Sequence, residues 1–254
     1  MPQEFVARAI VKAIRALPGH PSLRVLDLSC GRGEIIRDLA RDGCEVRGTH
    51  YRSDDYKLRD ATESLLDGLT IDRGVDLLQP LLYDTGAFDV VILSEVAEHL
   101  LTAIPVVHEA GRILRPGGHL VLSTPNIARV HSRLQFFFTG THKLIRRRVG
   151  WDIRADQLYA YHISPVDFPL LHTLLFQADL RVRALRFTRF KPTHSWLLLL
   201  YPLFWLFTRL ATNTHVAPGL RREGEEDLFR WMVHPAMLAS EQLLVIARKV
   251  ARDR

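Results

Sequence analysis

Residues 23–34 read L-R-V-L-D-L-S-C-G-R-G-E, an apolar run that breaks into a glycine-bearing loop and then opens a helix. Val25, Leu26 and Leu28 have the unbroken apolarity of a strand buried on both faces. Gly31 and Gly33 permit the sharp turn and the close approach of backbone to ligand that a side chain would obstruct. The stretch therefore reads as the cofactor loop of a parallel α/β sheet. A dinucleotide fingerprint would need a third small residue three positions after the second glycine, and Ile36 stands there instead.

Working outward, Phe88 to Leu100 (FDVVILSEVAEHL) contains a short buried strand over Asp89 to Leu93, and Val106 to Leu114 has helical spacing. Arg115, Pro116, Gly117 and Gly118 stop that helix and turn the chain toward the next strand. Taken together, these segments resemble the class I methyltransferases that use S-adenosylmethionine (SAM). D-L-S-C-G-R-G looks like their motif I, and FDVVILSEVAEHL with VVHEAGRILRPGGHLVLSTPN (106–126) looks like their motifs IV to VI, in matching order and spacing. The resemblance implies an α/β, Rossmann-like, doubly wound sheet of seven mostly parallel strands, with SAM as cofactor.

The remaining elements can be placed on that plan. A helix is expected over Glu4 to Leu17, strand one over Arg24 to Leu28, and a helix carrying Ile35, Ile36 and Leu39 up to Gly43. Strands two and three are expected near Glu45 to Thr49 and Leu69 to Asp72, and strand five over His119 to Ser123. A helix over Pro165 to Gln177 and strands over Arg181 to Phe190 and Gln242 to Arg248 complete the sheet. One domain spanning 1–254 is expected. Two stretches exceed the minimal plan, 127–163 after strand five and 191–241 between the last two strands. Insertions there build the acceptor site in this superfamily, so 127–163 is expected to form an acceptor lid.

Composition narrows the function class. A length of 254 residues, 47% of them hydrophobic, suffices for one substantial core. Two cysteines, Cys30 and Cys44, make no disulfide scaffold. The first residues alternate charge and apolarity and lack a signal peptide's apolar core, so a cytoplasmic protein is expected. The formal charge of +6 raises nucleic acid as a partner. However, the end of strand four reads Leu93, Ser94, Glu95 and lacks the Asn/Asp-Pro-Pro-aromatic element of enzymes that methylate base amines, which puts nucleic acid in second rank.

The insertions suggest a different partner. Trp196 to Phe207 (WLLLLYPLFWLF) is uncharged and mostly apolar, too short for a bilayer span of about 20 residues but suited to an interface. Phe136, Phe137 and Phe138 precede Arg146, Arg147 and Arg148, a pairing able to meet lipid phosphate or a lipid-linked sugar pyrophosphate. An anionic membrane surface, contacted from the cytoplasmic side, is one expectation for 191–241. A buried helix, a homodimer contact or a partner protein is the other.

Site residues follow from the resemblance, position by position. Asp27, Ser29, Cys30, Gly31 and Gly33 match motif I, with Ser29 in place of the usual first glycine. At the end of strand two, where the family has an acidic residue for the ribose hydroxyls, this chain has His50 and then Tyr51. A neutral imidazole offers one acceptor nitrogen where a carboxylate offers two oxygens. Asp54 or Asp55 could supply the missing acceptor from the following loop. Asp76 and Leu77 match the element that meets adenine, and Leu93, Ser94 and Glu95 match the floor beside the sulfonium. A hydroxyl acceptor would need its proton removed, and His99 and His162, the latter in HISPVDF, are the candidate bases. Glu95, Glu98 and His99 also resemble the E-x-x-E-H element that some quinone O-methyltransferases place near a divalent metal, although relatives without metal carry the same letters. The expected activity is methyl transfer to a small-molecule, glycan or lipid-linked acceptor at oxygen, in cell-envelope metabolism. A quinone O-methyltransferase and a catalytically silent SAM-binding subunit are the alternatives.

Overall fold

A computed structural model describes residues 2–51, 68–142, 162–189, 199–213 and 222–251. Its centre is a seven-stranded sheet in the order β3-β2-β1-β4-β5-β7-β6, formed by β1 (Arg24–Asp27), β2 (Glu45–His50), β3 (Thr70–Arg73), β4 (Phe88–Ser94), β5 (Leu114–Pro125), β6 (Leu180–Arg186) and β7 (Gln242–Lys249). The pairs from β3 through β5 are parallel, whereas β7 runs antiparallel to both β5 and β6.

Strand alternation decides which side chains meet which helix. Val25, Val90, Ile92 and Val121 lie on one face, where α1 (Pro2–Arg15) delivers Val6, Ile10, Val11 and Ile14 and α2 (Glu34–Asp42) delivers Ile35 and Leu39. Leu26, Leu28, Val91, Leu93, Leu120 and Leu122 lie on the other, under α3 (Ile104–Ile113) and α4, a later helix over Phe168–Gln177. Both faces are thus covered by apolar surface, which is why the parallel strands read as unbroken apolar runs. Gly111 marks where α3 meets the end of α4: a Cβ there would lie 2.6 Å from the carbonyl oxygen of Ala178.

Several boundaries differ from the sequence reading: the helix expected from Pro165 begins at Phe168, the strand expected to reach Phe190 ends at Arg186, and the largest difference lies at the start of β5. Arg115 to Gly118 lie inside β5, which begins at Leu114. Its register with β4 jumps from Phe88↔Leu114 to Val90↔His119, so these residues bulge within the strand. Gly118 is required there, since a Cβ would come within 2.9 Å of the carbonyl oxygens of Arg115 and Asp89. Arg115 and the Arg24 backbone and side chain pair with Asp89, holding its carboxyl below the usual range despite partial burial.

The parallel strands β1, β4, β5 and β6 all end on one edge of the sheet, and both insertions leave from that edge. The first forms α5 (Val130–Thr139); the second forms α6 (Tyr201–Asn213), α7 (Arg222–Met232) and α8 (Pro235–Ala239). Residues 143–161 and 190–198, including Arg146 to Arg148 and Trp196, lie outside the described residues. Among the described residues no helix is long and apolar enough to cross a membrane.

Candidate functional site

The loop after β1 is made of left-handed backbone: φ is 69° at Ser29, 55° at Gly31 and 69° at Gly33. A serine in that region carries a steric cost. It is held there because its N–H donates to Thr49 Oγ1 at 2.9 Å, while the Cys30 N–H donates to the Thr49 carbonyl at 3.1 Å. β2 therefore braces the loop, through a threonine that no motif singled out. A Cβ on Gly31 would meet nothing within 4 Å among the described residues, so the loop backbone is open on that side with respect to them. Gly33 caps α2 without a side-chain hydrogen bond, leaving the first-turn N–H groups available to an anionic group.

Asp27 closes β1 and is buried, and its Oδ1 has no hydrogen-bond partner among the described residues. Burial pushes this carboxyl up to about 7. An acceptor in that condition carries a desolvation cost that a cationic donor would relieve.

His50, at the end of β2, is buried beneath the loop with its Nε2 3.4 Å from Cys30 Sγ. Burial, and secondarily Asp27, push the Cys30 thiol up, so it stays protonated. Gly48 makes room for this contact, because a Cβ there would lie 2.6 Å from Cys30 Sγ. Tyr51, the next residue, is 53% exposed. The Val75 N–H donates to the His50 carbonyl at 2.9 Å, bringing the turn at 75–79 to the end of β2. There Asp76 Oδ1 accepts from the Leu78 N–H at 2.9 Å, and Leu77 is buried. Asp54 and Asp55 lie outside the described residues.

At the end of β4, Leu93 is buried, and Ser94 Oγ lies 3.2 Å from Ser123 Oγ. Glu95 adopts φ 53°, and its two carboxylate oxygens accept from Ser123 Oγ and Gln242 Nε2, each at 3.0 Å. Glu98 follows on a 3-10 turn over Ala97–His99, fully buried, with Oε2 accepting from Thr124 Oγ1 at 3.1 Å and Oε1 without a partner among the described residues. Burial raises both carboxyls, and the proximity of Glu95 raises Glu98 further.

The histidines named from sequence are brought together. The Ser164 N–H donates to the Glu98 carbonyl at 3.0 Å, pinning the HISP segment onto the 3-10 turn. The rings of His99 and His162 then meet edge to face, their centroids 4.7 Å apart. Ligand atoms of Glu98, His99 and His162 lie within 4.8 Å of one another. Glu95, which the E-x-x-E-H spacing would group with them, is occupied by Ser123 and Gln242, and His162 from a distant segment joins the cluster. Burial lowers the His162 pKa from its ordinary 6.5, favouring the neutral ring. Asn126, buried at the end of β5, links the insertions: its amide donates to the carbonyls of Met237 and Ser240 at 2.7 and 3.0 Å, and its oxygen accepts from the Ala128 N–H.

The methyltransferase domain family matches residues 3–185 of this chain. The chain belongs to that family. A ubiquinone biosynthesis O-methyltransferase of Methylocella silvestris is 32% identical over 145 residues, covering 56% of this chain and 53% of that protein. A protein of the same name from Xanthomonas oryzae pv. oryzae is 33% identical over 104 residues, covering 41% of this chain and 43% of its own. The chain thus spans about half the length of the curated relatives it matches. Among solved structures, a SAM-dependent methyltransferase from Archaeoglobus fulgidus aligns with a TM-score of 0.55 at 18% identity, covering 97% of this chain and 94% of that one. One from Mesorhizobium loti aligns with a TM-score of 0.53 at 19% identity, covering 98% of both chains. The fold found here is thus shared with these solved structures.

The solved structures that share this fold are named SAM-dependent methyltransferases, and the residues present here would fit that cofactor. An amino-acid moiety offers an ammonium for the unpartnered Asp27 oxygen and a carboxylate for the N-terminus of α2, and the open backbone at Gly31 leaves room for both.

Proposed function

We propose that the protein transfers a methyl group from SAM to an oxygen of a small or lipid-linked acceptor, with the His99–His162 pair serving as the general base. Bound SAM supplies a methyl group made electrophilic by its sulfonium. The chain's own part is to hold the acceptor in line and take its proton. The observation that carries this reading is the edge-to-face imidazole pair at the carboxyl end of β4, beside the loop that fits SAM. His162 is exposed enough to reach an incoming hydroxyl, and its lowered pKa keeps it ready to accept a proton. The buried Glu98 carries the turn on which His99 sits. Its carbonyl, holding Ser164, sets the distance between the two rings.

The names of the relatives supply the first acceptor to try, a hydroxyl of a quinone precursor. Incubation with SAM and a panel of catechols, polyprenyl quinols, amines and thiols should yield a mass gain of one methyl group on hydroxyl acceptors. SAM binding without turnover on any of them would replace this reading with that of a silent SAM-binding subunit.

A second reading rests on the same cluster. One carboxylate and two imidazoles fit a divalent ion such as Zn²⁺, which would acidify an acceptor hydroxyl. On this reading, dialysis against a chelator lowers the rate and added Zn²⁺ or Mg²⁺ restores it. If the imidazole pair acts alone, chelation changes nothing.

A further inference from the structure

The helix α6 exposes the wrong face for a protein in water. Leu203, Leu206, Phe207 and Leu210 recur at spacings of three and four, so they form one stripe along the helix, and all are exposed. The opposite side is occupied: Phe204 packs with Val130 and Leu134 of α5 and lies under the Arg133 guanidinium. Trp205 and Arg209 meet Phe229 of α7. The stripe points away from both neighbours. On α5, Phe137 and Phe138 are 79% and 78% exposed and touch each other edge to face.

Charge distinguishes the occupants such a face could have. The stretches 127–151 and 180–222, which contain α5 and all of the chain from β6 through α6, hold fourteen of the 34 Lys and Arg residues and none of the 28 Asp and Glu. The rest of the chain therefore carries 20 cationic against 28 anionic side chains, and the whole positive excess belongs to the two stretches of sequence that contain α5 and α6. A second copy of this chain would bring the same cationic stretches against themselves. An anionic lipid surface would meet both the charge and the aromatic and aliphatic side chains.

We infer that α6, with the Phe137–Phe138 tip of α5, docks on an anionic membrane surface. Both insertions leave from the sheet edge that carries the SAM loop, so docking would turn the acceptor side of the molecule toward the bilayer. The inference does not depend on the acceptor or on methyl transfer, because its test reads binding alone.

The full chain is sedimented with vesicles of phosphatidylcholine and with vesicles in which about a third of the lipid is phosphatidylglycerol. Binding is expected to the anionic vesicles, to weaken as salt is raised, and to be far weaker on the neutral ones. The triple variant Leu203→Gln, Phe207→Gln, Leu210→Gln should lose about tenfold or more in partitioning, with its thermal melt and SAM affinity unchanged. Should that variant fail to fold, Phe137→Ser with Phe138→Ser carries the same expectation. Absence of vesicle binding by the folded parent overturns the inference, as does equal binding to neutral vesicles. So does a parent dimer that the triple variant splits while vesicle binding persists, which would make the stripe an interface between copies.

Discussion

At Gly31 the reasons for a glycine are conformation and space together. Its φ of 55° strains any L side chain, and the volume above it, free of atoms of the described residues within 4 Å, is the room our proposal gives to the cofactor. Gly31→Val should therefore weaken SAM binding about tenfold or more by filling that room, while about 1–3 kcal/mol of strain lowers the stability of the fold with or without cofactor. Calorimetry showing unchanged affinity in a folded variant would remove the loop from the cofactor site. At His162 the expected effect is on rate. His162→Gln should lower turnover by about 10²-fold with SAM affinity intact. A base must be neutral, so the parent's rate should rise with pH through an inflection below 6.5, the His162 value being lowered by burial, and the variant should lose that inflection. An unchanged profile would assign the proton to another group. Residues of this kind can be named as candidates from sequence because glycines and histidines announce their chemistry by type. Thr49, which braces the loop with its hydroxyl and carbonyl, was not: its role depends on β1 and β2 lying side by side, and a threonine in a strand is ordinary in sequence.

Among elements, those fixed by periodicity were legible nearly to their ends. β1 and β4 are apolar on both faces because helices cover both faces, and α2 and α3 show their buried stripes. The start of β5 was misplaced because Pro116 and the two glycines signal a turn, and a bulge within a strand uses the same residues. The HISP segment could be named but not located, since what brings it to His99 is one backbone hydrogen bond across 66 residues of chain, Ser164 to Glu98. Asn126 shows how such long-range closure is made. Asn126→Ala would leave two buried carbonyls and one N–H without partners where β5, α5 and α8 meet, lowering stability by about 1–3 kcal/mol. Because the defect lies between the insertions, acceptor turnover should fall more than SAM affinity. A variant with the parent's melting temperature would mean that water replaces the amide without loss.

The whole molecule concentrates buried carboxyls on one sheet edge and leaves its well-paired ones elsewhere. Asp27, Glu95 and Glu98 are all raised by burial, Asp27 to about 7 from an ordinary 3.8. Asp89 and Glu109 are lowered by the arginines that hold them. The two groups act on stability in opposite directions. A raised folded pKa means that the folded chain binds more protons than the unfolded one between the two values, so its contribution falls as pH rises through that window. For Asp27 the window runs from about 4 to about 7, and a shift of this size corresponds to about 4 kcal/mol at most. The lowered carboxyls lose their contribution only below about 4. The protein without cofactor should thus melt at a higher temperature near pH 5 than near pH 8, a dependence that the sequence, with its ordinary count of Asp and Glu, does not reveal. Asp27→Asn should flatten that slope, because an amide has no charge to bury. An ammonium beside Asp27 reverses the cost, so the rise in melting temperature on adding SAM should be larger at pH 8, where the carboxylate is already ionised, than at pH 5. Melts of parent and variant across this range, with and without SAM, check both statements. A parent whose stability climbs steadily from pH 5 to pH 8 without cofactor would show that Asp27 already has a cationic partner within the chain.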